Sequence, residues 1–97
     1  MLRHIAVFTW TPESTPEQRT AAVEALRSLA PILADLGTFG VWTDLGLGAS
    51  TADAAVIAEF PGVAEYQTYA AHPEHQRVLT ELVRPYLAAR AALQVEI

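Results

Sequence analysis

The stretch Leu2–Trp10, LRHIAVFTW, is an uninterrupted run of apolar and β-forming residues that ends at the sequence TPESTP. Successive side chains of a strand point to opposite faces, so the run divides into two sets. One face carries Leu2, His4, Ala6 and Phe8, and the other carries Arg3, Ile5, Val7 and Thr9. Both sets contain large apolar side chains. The stretch therefore predicts a strand that is buried on both faces.

A helix is predicted after this strand. Thr15 can accept a hydrogen bond at the helix N-terminus, Pro16 suits the first turn, and Gln18 completes a capping box. Pro31 is expected to bend the helix or to begin a short final turn, and Gly37 is expected to end it. Apolar residues recur at helical spacing at Val23, Leu26, Ala30 and Leu33.

Two more strands are predicted over Thr38–Gly46 and Asp53–Phe60, and the loop GLGAST between them indicates a hairpin. Two helical segments follow, Val63–Ala71 and Pro73–Leu87. They are separate because a proline disfavours helix at the residue before it and suits the start of the next helix. The sequence AALQVEI, residues 91–97, alternates apolar and polar side chains and predicts a last strand.

The resulting order, β-α-β-β-α-α-β, is that of a ferredoxin-like α+β fold with a four-stranded antiparallel sheet. We expect residues 1–97 to form a single domain, because the chain is long enough for only one core. Helices on one side of the sheet cannot cover its second apolar face. We therefore expect a homodimer, in which two sheets pack face to face as a dimeric α/β barrel. A pocket could then lie between each sheet and its own helices.

The composition excludes several classes of function. Hydrophobic residues make up 52% of the chain and charged residues only 18%, which favours a buried interface. The formal net charge is -5 and the six arginines are scattered, so no nucleic acid partner is expected. The chain has no cysteine and no lysine, which excludes thiolate and Schiff-base chemistry. No apolar run approaches the roughly 18 residues of a membrane span, so we expect no membrane partner and a cytoplasmic location.

Four side chains are the main candidates for chemistry: His4, Tyr69, His72 and His75. Burial in the first strand would keep His4 neutral, which suits either a structural hydrogen bond or a general base. His72 is expected to cap the helix break, whereas His75, one turn further, could reach the interior. Tyr69 either packs as an amphipathic aromatic residue or donates to a substrate carbonyl while a histidine accepts a proton.

A metal site is the alternative interpretation of these histidines. His72 and His75 are three residues apart, and His4 could be a third ligand. Two-residue matches are common by chance, and no carboxylate lies at a diagnostic spacing nearby. We therefore expect no metal. Asp44 and Glu59 are interpreted as structural or interfacial residues, and Trp10 and Trp42 as wall or interface residues.

The sequence resembles the stress-responsive A/B barrel (Dabb) domain family over almost its whole length. The resemblance is carried by RHIAVFTW, TPEQ with ALRSL, VWTDLGLG, DAAVIAEF and above all YQTYAAHPEHQRV. It implies a ferredoxin-like subunit that dimerises through its sheet. The family is diverse and includes stress-response proteins and a plant polyketide cyclase, olivetolic acid cyclase, which performs an aldol condensation without a cofactor. The residues to which that chemistry is attributed correspond to Tyr69, His75 and His4.

We therefore expect a small-molecule enzyme that performs cofactor-independent acid/base chemistry, such as cyclisation or aldol-type condensation. Its substrate would be carbonyl-bearing and apolar, either polyketide-like or aromatic. His75 is the expected base, Tyr69 polarises the carbonyl and His4 orients the ligand. The alternatives are a non-catalytic stress-response or ligand-binding homodimer, and a cofactor-free monooxygenase of the dimeric α/β barrel type. The expected substrate-binding residues are Ala6, Phe8, Tyr66 and His72.

Overall fold

The structure is a computed structural model that describes residues 1–49 and 52–97. The predicted loop GLGAST extends over residues 50 and 51, which lie outside the described residues. The sheet has the order β2-β3-β1-β4, and all its neighbouring strands are antiparallel. This is the predicted ferredoxin-like α+β fold. The elements are β1 (Leu2–Trp10), α1 (Pro16–Arg27), α2 (Leu29–Ile32), β2 (Thr38–Thr43), β3 (Ala54–Phe60), α3 (Val63–Ala71), α4 (Pro73–Arg77) and β4 (Leu87–Glu96).

The two faces of β1 differ in burial, and the more deeply buried face marks the position of the core. Its alternate residues His4, Ala6, Phe8 and Trp10 are buried under the helices. The indole of Trp10 stacks nearly parallel to the Phe8 ring, with 6.2 Å between centroids. On the opposite face Ile5 is only half-buried in the single chain. The core is completed from the helices and from β3 by apolar side chains that include Leu26, Leu29, Leu33, Val56, Ala58, Phe60, Val78 and Val83.

The first helical segment begins as predicted and then divides. The Thr15 hydroxyl accepts from the Gln18 backbone amide at 3.2 Å, and the Gln18 side chain accepts from the Thr15 amide at 2.9 Å. The segment is two helices, since α1 ends at Arg27 and α2 is the short turn around Pro31. Proline has no N–H to donate to the Arg27 carbonyl four residues earlier, so the α-helical ladder cannot continue unbroken.

Gly37 lies beyond the end of α2, where the chain enters β2. A Cβ at Gly37 would lie far inside van der Waals distance of the Glu59 carbonyl oxygen, so only glycine permits this approach to β3. β2 ends at Thr43, earlier than the predicted Gly46. The Asp44 carboxylate accepts from the Gly46 amide at 3.0 Å, and Gly46 has a positive φ of 73°, so the chain turns there.

The second half of the chain departs most from the sequence prediction. The expected helix Pro73–Leu87 is only the short α4, followed by a π-helical segment over Val78–Val83 and a 3₁₀ turn over Arg84–Tyr86. Pro85 cannot donate a helical hydrogen bond, which prevents the helix from continuing. β4 begins at Leu87, four residues before the predicted position, and pairs with the whole of β1. Its alanines favour helix by propensity, but pairing with β1 satisfies their backbone groups instead.

The face of the sheet away from the helices remains apolar and accessible. Trp42 on β2 is 55% exposed, and its indole ring lies directly over Gly40, where any Cβ would collide with it. Leu93 on β4 is 53% exposed and lies opposite Ile5 in the register. At its margin, Arg3 pairs with Glu59 at 2.6 Å. We call this surface the open sheet face; its residues are Arg3, Ile5, Val7, Gly40, Trp42, Ala55, Ile57, Glu59, Ala91, Leu93 and Val95.

Candidate active site

The candidate site is a cavity of about 190 Å³ between the helical layer and the inner face of β4. Two of its walls come from α3 and α4, and the others come from β1, β4 and the turns that precede β4. Two imidazole side chains and two phenol side chains line this cavity. Its lining residues are His4, Tyr66, Tyr69, Ala70, His75, Gln76, Leu79, Arg84, Leu87 and Arg90.

Tyr69 on α3 is the central aromatic residue of this site. Its ring packs against Phe60 with 5.1 Å between centroids and against Phe39 at 6.0 Å. On its other side it lies 4.3 Å from the His75 ring and 5.6 Å from the His4 ring. Burial raises the pKa of the Tyr69 phenol well above its usual value. The hydroxyl therefore stays protonated at neutral pH and can donate a hydrogen bond.

His75 is positioned by the helix break before α4. The Nδ1 atom of His72 accepts from the Glu74 amide at 3.1 Å and caps α4, as the sequence predicted. One turn further, His75 Nδ1 lies 3.3 Å from the Ala70 carbonyl oxygen. A carbonyl oxygen only accepts, so Nδ1 carries the proton and Nε2 of the neutral ring has a free lone pair. Burial lowers the pKa of His75 despite this hydrogen bond, and the Arg90 charge adds to the effect.

His4 presents the opposite tautomer. The Gln94 side-chain nitrogen lies 2.9 Å from His4 Nδ1 and, as an amide nitrogen, donates to it. The proton of the neutral ring is therefore on Nε2. Burial lowers the pKa of His4 to about 4, with further lowering by the charges of Arg90 and His75. His4 is thus a neutral hydrogen-bond donor at pH 7 and not a cation.

Three polar atoms of buried residues have no partner and reach the cavity. Among the described residues, no hydrogen bond is made by the Tyr69 hydroxyl or by Nε2 of His4 and His75. In the same part of the chain, no fully enclosed side-chain nitrogen or oxygen lacks a partner. These three atoms must therefore belong to the small accessible fraction of their residues, 2% for His4, 3% for Tyr69 and 6% for His75. From these buried residues a ligand in the cavity would meet one acceptor and two donors, and the Tyr66 side chain lines the same cavity.

The structure brings together four of the predicted site residues, His4, Tyr66, Tyr69 and His75. The Tyr66 ring lies 5.3 Å from the His4 ring. The other three predicted residues have different contacts. Ala6 and Phe8 are enclosed in the core, and His72 caps α4. None of these three belongs to the cavity lining.

Sequence reasoning missed the contribution of β4 and of the turn before it. Gln94 sets the tautomer of His4, and Arg84 and Arg90 line the cavity. The predicted last strand began at residue 91, so Arg90 was not assigned to a strand and its position beside the cavity was not predicted. Arg90 and Gln94 are four residues apart and so lie on the same face of a strand, which is a signal that could have revealed this face.

Two other features of the described residues bear on function. Within residues 1–49 and 52–97, no three histidine, aspartate or glutamate side chains are grouped as a metal site requires. In the same ranges, no helix has the length and apolar character needed to cross a membrane. A second cavity of about 270 Å³ lies beside Met1, Pro61 and Val95. It is larger than the first, but its lining includes no histidine and no tyrosine, and Glu96 is the one acidic side chain there. It therefore offers a carboxylate without the paired base and phenol donor of the first cavity.

Comparisons with known proteins agree with this fold. The family model of the Stress responsive A/B Barrel Domain matches residues 2–97. A dimeric ferredoxin-like protein of unknown function from Thermobifida fusca is 35% identical, with a TM-score of 0.88 over 99% of this chain and 90% of that chain. The comparison with curated protein sequences gives no match.

Two structures with the same fold are named as enzymes. The hydroxynitrile lyase from Passiflora edulis is 19% identical, with a TM-score of 0.80 over 99% of this chain and 92% of that chain. An antibiotic biosynthesis monooxygenase is 17% identical, with a TM-score of 0.77 over 100% of this chain and 98% of that chain. At these identities the likeness shows the fold alone.

Proposed function

This chain belongs to the stress-responsive A/B barrel domain family, and we propose that it is a cofactor-independent enzyme that performs acid/base chemistry on a carbonyl compound. One observation carries the proposal. A neutral imidazole acceptor and two neutral donors, each held in a defined protonation state, converge on one cavity. The class of reaction that needs this set is proton abstraction next to a carbonyl, followed by cyclisation or aldol-type condensation.

The donors would act on the substrate's carbonyl oxygen. The Tyr69 hydroxyl and His4 Nε2–H both lie in the low-dielectric lining, where hydrogen bonds to a developing oxyanion are strong. Each fixed donor of this kind contributes on the order of 10²-fold to the rate. Gln94 is a positioning residue, because its amide holds the proton of His4 on the nitrogen that faces the cavity.

His75 Nε2 would take the proton. It accepts a proton from the carbon beside the carbonyl, and the electrons of that C–H bond form the enolate that the two donors stabilise. The enolate carbon then attacks a second carbonyl, and the resulting alkoxide recovers the proton from His75. The lowered pKa of His75 keeps its ring neutral at pH 7 and ready to accept. A positioned base contributes about 10²-fold or more.

The fold relatives lend context to this proposal. A hydroxynitrile is an adduct of cyanide and a carbonyl compound, so the Passiflora edulis lyase is an enzyme of this fold that is named for carbonyl chemistry. The monooxygenase relative shares the fold as well. The substrate class proposed is a ketone or an aromatic carbonyl compound.

We also propose that the protein is a homodimer joined through the open sheet face. Three large apolar side chains there, Trp42, Ile57 and Leu93, are at least one-third exposed in the single chain. Covering them would remove apolar surface from water at about 25 cal/mol for each Å². The Thermobifida fusca relative is dimeric. The cavity lies on the helical side of the sheet, so each subunit would keep its own site.

Exchange of the methyl protons of acetophenone with D₂O tests the catalytic proposal without knowledge of the natural substrate. The protein should accelerate the exchange, followed by ¹H NMR, and His75→Gln should abolish the acceleration. Tyr69→Phe should reduce it on the order of 10²-fold. Glu13→Gln is the control, because it changes an exposed side chain outside the cavity lining. Exchange that is equally fast with wild type, His75→Gln and no protein would contradict the proposal.

A further inference from the structure

Arg84 and Arg90 differ from the other arginines of the chain. Four of the six arginines have partners: Arg3, Arg27 and Arg77 pair with glutamates, and Arg19 donates to Ser14 and Thr11. Among the described residues, Arg84 and Arg90 make no ion pair and no hydrogen bond. Both line the cavity that holds His4, Tyr69 and His75.

The position of these two arginines, without a carboxylate partner among the described residues, is unexpected in an acidic protein. The sequence has 11 acidic residues and a net charge of -5, so carboxylates are abundant. None of the residues that line the cavity is an aspartate or a glutamate. Arg84 and Arg90 are both exposed to solvent, so the cavity combines enclosed, uncharged donors and acceptors with two accessible guanidinium groups. Positive charge therefore predominates in the lining of a cavity in an acidic protein.

The strand register shows where Arg90 lies relative to the acid/base groups. Arg90 is opposite Phe8 and Gln94 is opposite His4, so both project from the face of β4 that looks towards the helices. Four residues along a strand span about 13 Å of backbone. The backbone of Arg90 is therefore four residues along the sheet from the position opposite His4, and the side chains of Arg90 and His4 both line the cavity. The positive charge of Arg90 acts to lower the pKa of His4, Tyr69 and His75.

We propose that Arg84 and Arg90 bind the carboxylate of the substrate, so that the site takes anionic carbonyl compounds and in particular aromatic or polyketide-like keto acids. The inference rests on the proposed function, because it assigns the substrate class of that same cavity. The guanidinium fork matches a carboxylate in geometry, and the resulting charge-assisted hydrogen bonds are about twice as strong as neutral ones. A carboxylate bound by these arginines would hold the substrate in the cavity that Tyr69 and His75 also line, where its carbonyl can meet them.

Two probes of the same shape test the charge requirement: 4-acetylbenzoate and its uncharged amide, 4-acetylbenzamide. Binding to the ¹⁵N-labelled protein is followed by the imidazole signals of His4 and His75. The wild type should bind the acid about tenfold or more tightly than the amide, because each charged hydrogen bond adds that order of affinity. The preference should fall in Arg84→Gln and Arg90→Gln and disappear in the double variant.

Arg77→Gln is the matched control. Arg77 pairs with Glu74 and Glu81 and does not line the cavity, so its loss removes the same charge without touching the site. This variant should keep the full preference for the acid. Added salt should weaken binding of the acid and leave binding of the amide unchanged.

The outcomes separate this inference from the catalytic proposal. Equal affinity for acid and amide, with shifts at His4 and His75, would overturn the carboxylate assignment and leave the catalytic site standing. A preference for the acid that survives in the double variant would also overturn it. Binding of neither probe would contradict both proposals. A preference for the acid that depends on the arginines, without any exchange of ketone protons, would support the binding site and refute the catalysis.

Discussion

Acidification from pH 7 to pH 5 should destabilise the protein through its buried histidines. His4 has a pKa of about 4 in the folded protein, against 6.5 for an ordinary histidine. Below pH 6.5 the unfolded chain binds a proton at this residue, whereas the folded protein does so only near pH 4. Stability rises with pH wherever the unfolded state binds more protons, so it falls as the pH falls through this window.

The size of the effect follows from these two values. The difference between the two pKa values corresponds to about 3 kcal/mol of folding stability, and this contribution is fully lost only below pH 4. At pH 5 most unfolded chains are protonated at His4 and few folded ones are, which costs about 2 kcal/mol relative to pH 7. The lowered pKa of His75 adds to this loss in the same direction. Ordinary carboxylates remain mostly ionised at pH 5, so the histidines dominate the change.

Urea unfolding at pH 7 and pH 5, at one fixed protomer concentration, measures this loss. The wild type should lose at least about 2 kcal/mol between the two conditions, and His4→Gln should lose about 2 kcal/mol less than the wild type. His72→Gln removes a histidine outside the cavity and serves as the control. An equal loss of stability in the wild type and in His4→Gln would refute the argument, because His4 would then titrate alike in both states.

Two further predictions concern the fold and the assembly. Gly37→Ala should cost about 2 kcal/mol or more in urea unfolding, because the new Cβ would collide with the Glu59 carbonyl. Gly48→Ala, with open space around it, should change stability by less than about 0.5 kcal/mol, and equal effects would contradict the packing. Leu93→Glu should convert the proposed dimer to a monomer, as measured by light scattering, because it places a charge in the interface. Leu47→Glu is the control, since Leu47 lies on a loop and is 88% exposed, and this variant should stay dimeric. A dimeric Leu93→Glu variant would refute the proposed interface.

The fold could be predicted because its signals are local. The alternation in Leu2–Trp10 determines which side chains enter the core, and the structure confirms it. The capping box at Thr15 and the cap at His72 depend on residues two or three positions apart, which a sequence displays directly. Such short-range chemistry needs no knowledge of the rest of the chain.

The element boundaries near the C-terminus could not be predicted in the same way. Ala88, Ala89, Ala91 and Ala92 have high helix propensity, and only the distant pairing with β1 makes them strand. The same pairing places Gln94 opposite His4 and Arg90 opposite Phe8. Their contribution to the site therefore depends on the register of an edge strand, which is a tertiary property.

The site was partly predictable for a related reason. Tyr69 and His75 lie on either side of a proline-marked helix break, and the sequence indicates that break clearly. Their 4.3 Å ring separation depends on how α4 turns against α3. Ala6 and Phe8 share the inner face of β1 with His4 and are buried to the same extent, but of the three only His4 lines the cavity. Alternation gives the face of a side chain and not the position of a cavity along that face.

The tautomeric state of the two buried histidines, measured from long-range ¹H–¹⁵N correlations at pH 7, tests the proposed function most directly. Both rings should be neutral, with the proton of His4 on Nε2 and the proton of His75 on Nδ1. The cavity then holds a base and two donors. A His75 ring that is protonated, or that carries its proton on Nε2, would leave the cavity without a base and would contradict the proposed function.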